Sequence, residues 1–189
     1  SKEQPNILLL VAEDLGNRLG AYGDQMANTP NIDSLAQSGQ IFTNVFTTAG
    51  VCAPSRAALI TGQHQISMGA QHMRSSTSPH GKYFALPSEQ VKAFPEILRA
   101  KGYFTFTDRK LDYQFSGIYS GTGPFTIWDV EGEDHLAWRQ RKAGQLFFGL
   151  INFSETHESG LMRHDGVIHS EGHRQTIAFR QKANLNLSL

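Results

Sequence analysis

Cysteine is almost missing from this chain: one residue in 189, Cys52. That excludes an internal disulfide framework and any zinc site built from several thiolates, and it leaves the redox compartment open. Charge of one sign is missing too. Lys+Arg 17 against Asp+Glu 17 give a formal net charge of +0, and like charges form no block. A general nucleic-acid surface or an anionic-membrane surface is therefore not expected. No apolar run reaches membrane length; the longest, Ile7 to Ala12, is far below the roughly 20 residues a spanning helix needs. No charged segment followed by an apolar one marks a signal peptide, and no internal repeat or low-complexity tract is visible. What remains is a chain long enough for one ordinary domain, burying roughly 70% of its unfolded surface.

The order of elements predicts an α/β fold with a mostly parallel central sheet flanked by helices. Ile7-Leu8-Leu9-Leu10-Val11-Ala12 is continuously apolar and reads as a fully buried strand, followed at once by Glu13-Asp14. Residues 29–39 have a cap, a Pro at the first turn and a closing Gly, and predict a helix. Gln40 to Thr47 alternates and predicts a strand; Pro54 to Gly62 predicts a short helix. Residues 63–85 are a long loop rich in Ser, His, Gly and Met, the kind that carries function. Val91 to Lys101 predicts a helix, Tyr103 to Thr107 a strand, Trp138 to Gly144 a helical turn, and Leu146 to Phe153 another buried strand. Three apolar strands thus end in ionisable clusters: Glu13/Asp14, Lys110/Asp112 and Thr156/His157. In open α/β sheets ligands sit beyond the carboxyl ends of the strands, so the three clusters are expected to converge. The plainer alternative is that loops after strands are simply polar.

Cys52-Ala53-Pro54-Ser55-Arg56 stands just before the short helix. Free backbone N–H groups at a helix start favour an anion, and Arg56, one turn in, can address the same place. A lone Cys is most often a small buried hydrophobe. A phosphotyrosine-phosphatase loop is set aside, because it needs Arg six positions after Cys and that position is Ala58.

Cys52-x-Pro54-Ser55-Arg56, with Leu59 and Thr61-Gly62 after it, resembles the signature of the sulfatase family. Pro5-Asn6-Ile7-Leu8-Leu9 to Asp14, Thr29 to Ala36 and Phe42-Thr43-Asn44 are similar to the family's amino-terminal segments, and the resemblance extends through Ser159. It implies an alkaline-phosphatase-like fold over residues 1–160, with 161–189 a divergent tail. It implies that Cys52 is oxidised to formylglycine by a separate maturation enzyme, and that a metal-activated hydroxyl of the hydrated aldehyde attacks sulfur. Glu13 and Asp14 match the paired acidic metal ligands, with Cys52 in the same shell. Hard oxygen donors suit Ca²⁺ or Mg²⁺, and the resemblance implies Ca²⁺.

Lys110 matches the lysine that holds a sulfate oxygen, and Lys110-Leu111-Asp112-Tyr113 resembles a K-x-D-Y variant from one branch of the family. Phe153 to Ser159 resembles a segment of the same branch, which makes His157 the implied general acid. Gly69-Ala70-Gln71-His72-Met73-Arg74 resembles a substrate-side loop, with His72, Arg74 and Asp112 toward the substrate.

The function implied is hydrolysis of a sulfate ester on a sulfated carbohydrate, in a periplasm or outside the cell, with no nucleic acid and no membrane as partner. The alternatives are a phosphodiesterase or phosphonate hydrolase of the same superfamily, and an inactive truncated remnant that binds oxyanions. Full sulfatases are longer and supply further metal ligands downstream, so the chain is expected to be truncated and a poor catalyst by itself. His164, His169 and His173 in the tail have spacing that could suggest a metal cluster, but Gly172 weakens a helix there, and a truncated or frameshifted tail is the preferred reading.

Overall fold

The computed structural model describes residues 4–73, 83, 85–115, 127–132 and 136–157. Its order is β1 (Ile7–Ala12), α1 (Pro30–Ser38), α2 (Cys52–Thr61), α3 (Phe94–Ala100), β2 (Phe104–Thr107) and β3 (Phe147–Phe153), with short 3-10 turns between. The strands form a parallel sheet in the order β1-β3-β2, and Phe104 to Thr107 pair with Phe147 to Leu150. The expected α/β class is therefore present, with β3 in the centre.

The chain divides into two units. The first is residues 1–10 with 46–151; the second is 11–45 with the stretch from 152 onward, described to residue 157.

The first unit holds both hydrophobic clusters. Ala57 and Ile60 of α2 share a core with Tyr113, Phe115, Trp128, Phe148 and Leu150. Trp128 stacks on Phe148 at 5.8 Å, and Phe94 of α3 meets the same ring edge-on. Phe104 and Phe106 point into a second cluster with Ala137. Buried Thr105 and Thr107 have partners, as buried hydroxyls must: Thr105 Oγ1 donates to Asp129 Oδ2 at 3.2 Å and Thr107 Oγ1 to the Leu150 carbonyl at 2.9 Å. Gly149 is required where β3 passes beneath Phe106, since a Cβ there would overlap the ring.

The second unit is polar inside. Its buried residues, among those described, are Glu13 and Thr29. Thr29 Oγ1 accepts from Gly20 N–H and donates to Asp33 Oδ1, both at 3.0 Å, which ties the turn at Gly20–Tyr22 to the start of α1.

Four sequence expectations need correction. β1 is not fully buried: Leu8 is 51% exposed and Leu10 46%, because alternate side chains of a strand face opposite sides and these two lie on the uncovered one. Gln40–Thr47 is not a strand; it has no ladder partner, and the Phe42 carbonyl instead accepts from the Tyr22 hydroxyl at 3.0 Å. The helix expected from Val91 begins at Phe94, because the ring of Pro95 would clash with the carbonyl four residues back, at Val91. The turn expected over 138–144 is a 3-10 turn at Ala137–Gln140.

Candidate active site

α2 begins at Cys52 itself, two residues before the expected start, with Val51 in extended backbone as its cap residue. Pro54 lies in the first turn, where its missing N–H costs no helical bond. No side chain caps this end, so the half-buried Cys52 sits among N–H groups free to face an anion. The approach to Cys52 is fixed from two sides. The hydroxyls of Thr47 and Ser55 are bonded at 2.6 Å, and Gln65 Nε2 donates to the Thr48 carbonyl at 2.6 Å. At the far end Gly62 closes α2 in a left-handed conformation and donates to the Ala58 carbonyl.

Arg56, one turn after Cys52, is buried and reaches the loop that follows β2. Its Nε donates to the Asp112 carbonyl at 3.3 Å and its Nη2 to the Lys110 carbonyl at 2.5 Å. The guanidinium lies over the Tyr113 ring, 4.9 Å from the centroid. The loop itself is built from two Asx turns: Asp108 Oδ1 accepts from Lys110 N–H at 3.0 Å, and Asp112 Oδ1 from Gln114 N–H at 2.9 Å. Gln114 takes a left-handed φ of 67° and is held there by its Oε1, which accepts from Ala85 N–H at 2.8 Å. Cys52, Arg56, Lys110 and Asp112 are thus assembled in the first unit. Burial pushes the Tyr113 phenol up from its ordinary value, and the Arg56 charge partly opposes this.

Glu13, Asp14 and His157 are assembled in the second unit. Glu13 N–H donates to the Phe153 carbonyl at 3.1 Å, and the Thr156 hydroxyl donates to the Glu13 carbonyl. These bonds bring the turn after β1 beside the turn after β3, where Glu13 Oε2 lies 3.6 Å from His157 Nε2. Asp14 is exposed, at φ 53°. Two adjacent carboxylates are the right donor chemistry for Ca²⁺ or Mg²⁺ but fall short of the six to eight oxygens Ca²⁺ takes. Among the described residues no group of three or more His, Cys, Asp or Glu side chains is placed to hold a metal.

His72 is exposed, lies at a 42° tilt to the Tyr83 ring with centroids 4.7 Å apart, and has Nδ1 bonded to the Met73 carbonyl at 2.8 Å. Arg74 and the tail histidines His164, His169 and His173 lie outside the described residues. Two cavities of the first unit, about 660 and 340 Å³, have none of these site residues on their walls. The contributions of Thr47, Gln65 and Gln114 were not anticipated from sequence. The one available signal was Gln114 itself, a bulky residue directly after the K-x-D-Y segment.

The sheet order and the similarity to solved structures define an alkaline-phosphatase-like α/β fold. The protein BT4656, solved with its substrate D-glucosamine-2-N,6-O-disulfate, aligns with TM-score 0.60 at 19% identity, covering 79% of this chain and 34% of that one. BT1596, a 2-O glycosaminoglycan sulfatase, aligns with TM-score 0.58 at 21% identity, covering 80% and 35%. The sequence profile of the Sulfatase family matches residues 5–170, and the chain belongs to that family. It is 43% identical over 169 residues to the ulvan-active sulfatase of Formosa agariphila, which is 87% of this chain and 27% of that protein. It is 43% identical over 102 residues to arylsulfatase A of Homo sapiens, 53% of this chain and 19% of that protein. The chain therefore spans about a quarter, or less, of the length of these relatives.

Proposed function

We propose that this chain carries part of the catalytic machinery of a sulfatase that hydrolyses sulfate esters of a sulfated carbohydrate. The observation that carries the reading is the start of α2. Cys52 stands at an uncapped helix end, and Arg56 from the same helix grips the Lys110 loop. Family membership supports the reaction class, and the relative named as ulvan-active supports a carbohydrate substrate.

In this reading Cys52 is the position matured to formylglycine, which when present supplies the nucleophilic oxygen. Glu13 and Asp14 would hold a divalent cation, Ca²⁺ before Mg²⁺, which when bound supplies Lewis-acid stabilisation of sulfate charge. The other roles belong to the chain's own side chains. The Lys110 ammonium, a cationic donor, is assigned to a sulfate oxygen. Arg56 orients the loop that bears Lys110, with at least two of its N–H groups engaged by carbonyls. The His157 ring is the donor of a proton to the departing ester oxygen, and Glu13 sets its orientation from 3.6 Å. His72, Arg74 and Asp112 are assigned to the sugar side. The enzyme would meet such a substrate in a periplasm or outside the cell, which fractionation of the native organism tests.

The test is intact-mass analysis of the native protein, with peptide mapping across Cys52, followed by rates on 4-nitrophenyl sulfate and 4-nitrophenyl phosphate. Aldehyde in place of thiol, with sulfate hydrolysis dominant, is the expected result. An unmodified thiol and no turnover would make the chain an oxyanion-binding remnant. Dominant phosphate hydrolysis would move it to the phosphodiesterase branch.

A further inference from the structure

We infer that Tyr113 is a positioning residue of this site, whose ring face holds the Arg56 guanidinium against the Lys110 and Asp112 carbonyls. The inference rests on the sulfatase reading for its catalytic consequence and on geometry alone for the placement.

Three neighbouring groups of one loop converge on one cation. The Lys110 carbonyl accepts at 2.5 Å, the Asp112 carbonyl accepts at 3.3 Å, and the Tyr113 ring lies beneath with its centroid 4.9 Å from the guanidinium carbon. The carbonyls fix the edge of the guanidinium plane. An aromatic face attracts a cation through its quadrupole without occupying a hydrogen-bond donor, so it adds attraction without taking N–H groups from the carbonyls. The ring is itself immobilised. Tyr113 is 1% exposed, Phe115 stacks on it at 6.1 Å and 22°, and it shares a core with Phe148 and Leu150 of β3. Packing against that core fixes the ring that lies under Arg56. Arg56 is one turn from Cys52, and its two acceptors lie on the loop of Lys110. Displacing the guanidinium separates the Cys52 helix from the Lys110 loop. Misplacement of about 1 Å between reacting groups lowers turnover roughly 100-fold.

The experiment keeps the shape of position 113 and changes only its electrostatics. In the full protein, Tyr113→Phe is compared with mono-, tri- and pentafluorinated phenylalanine at the same position, using 4-nitrophenyl sulfate. Tyr113→Phe is expected to keep kcat within about 3-fold, and kcat to fall stepwise with fluorination to roughly 100-fold below wild type, with KM within about 2-fold. A buried ring that only filled space would move melting temperature and leave kcat flat across the series. A flat kcat overturns the inference. Crystal structures of the Tyr113→Phe and pentafluorinated proteins decide the placement independently. Loss of the Arg56 bonds to the two carbonyls in the latter supports it; their persistence overturns it. If the wild-type protein hydrolyses no aryl sulfate, the sulfatase reading fails, and the crystal structures alone decide whether Tyr113 positions Arg56.

Discussion

The Glu13 carboxylate lies 3.6 Å from His157 Nε2, joining residues that are 144 positions apart in the chain. The contact is held by backbone. Glu13 N–H donates to the end of β3, and the Thr156 hydroxyl donates back to the Glu13 carbonyl. A change of the carboxylate alone therefore leaves the turn intact.

Glu13→Gln keeps those backbone bonds and removes the charge that faces His157 and that the proposed function assigns to a divalent cation. Loss of an orienting partner or ligand of this kind lowers metal affinity or activity about 10–100-fold. Turnover of 4-nitrophenyl sulfate is expected to fall within that range, and calorimetric Ca²⁺ affinity to fall with it, while the melting temperature changes little. Unchanged turnover together with unchanged Ca²⁺ binding would remove Glu13 from the site.

Arg56→Met tests the Arg56 contacts of the first unit through stability. The substitution keeps apolar bulk beside Tyr113 and leaves the Lys110 and Asp112 carbonyls without these donors. Hydrogen bonds to a charged group contribute about 1.5–3 kcal/mol, and stranded buried acceptors add to the loss. A loss of about 3 kcal/mol in urea unfolding is expected. Arg56→Lys, which keeps the charge without the fork, is expected to lose less. Equal stability of Arg56→Met and wild type would show that the carbonyl contacts are not formed in solution.

Part of this architecture was legible in the chain and part was not, for definite reasons. The apolar runs Ile7–Ala12 and Phe147–Phe153 revealed two strands, because period and length are local properties. Which face of a strand is covered depends on neighbours, so the exposure of Leu8 and Leu10 was not visible. Gln40–Thr47 alternates like a strand, yet alternation supplies no ladder partner. The C-x-P-S-R spacing singled out Cys52 and Arg56 as candidates. It did not reveal that the Arg56 guanidinium meets a loop 54 to 57 residues away, or that Tyr113 supports it. Pairings across such separations are set by packing, which spacing does not encode.

Tyr113 gives the protein an alkaline limit. Burial raises its pKa above the unfolded value near 10, chiefly by desolvation, with the Arg56 charge opposing. The folded state therefore holds this proton more tightly than the unfolded chain does. The associated stability is fully present below about pH 10 and is lost as pH rises from there through the folded pKa. Tyr113→Phe is expected to unfold less steeply above pH 10 in fluorescence-monitored titration, with the two proteins keeping a constant stability difference below pH 9. Parallel curves through pH 11 would show that Tyr113 ionises freely in the native state.

Gly149 tests the packing beneath β2. A Cβ at this position would overlap the Phe106 ring, and Phe106 is fully buried in the second cluster with Phe104 and Ala137. The backbone of Gly149 has no positive φ, so alanine is excluded by space and not by conformation. Overpacking of this kind costs about 1–3 kcal/mol. Gly149→Ala is expected to lose that much in urea unfolding. The double variant Gly149→Ala, Phe106→Leu makes the argument specific. A smaller side chain at 106 vacates the volume the new methyl needs, so the double variant should be more stable than the sum of the two single losses predicts. The two residues are in contact, and contacting pairs show coupling of about 0.5–3 kcal/mol. Strict additivity would mean that the ring moves aside without resistance and that the close approach of β3 to β2 does not depend on glycine.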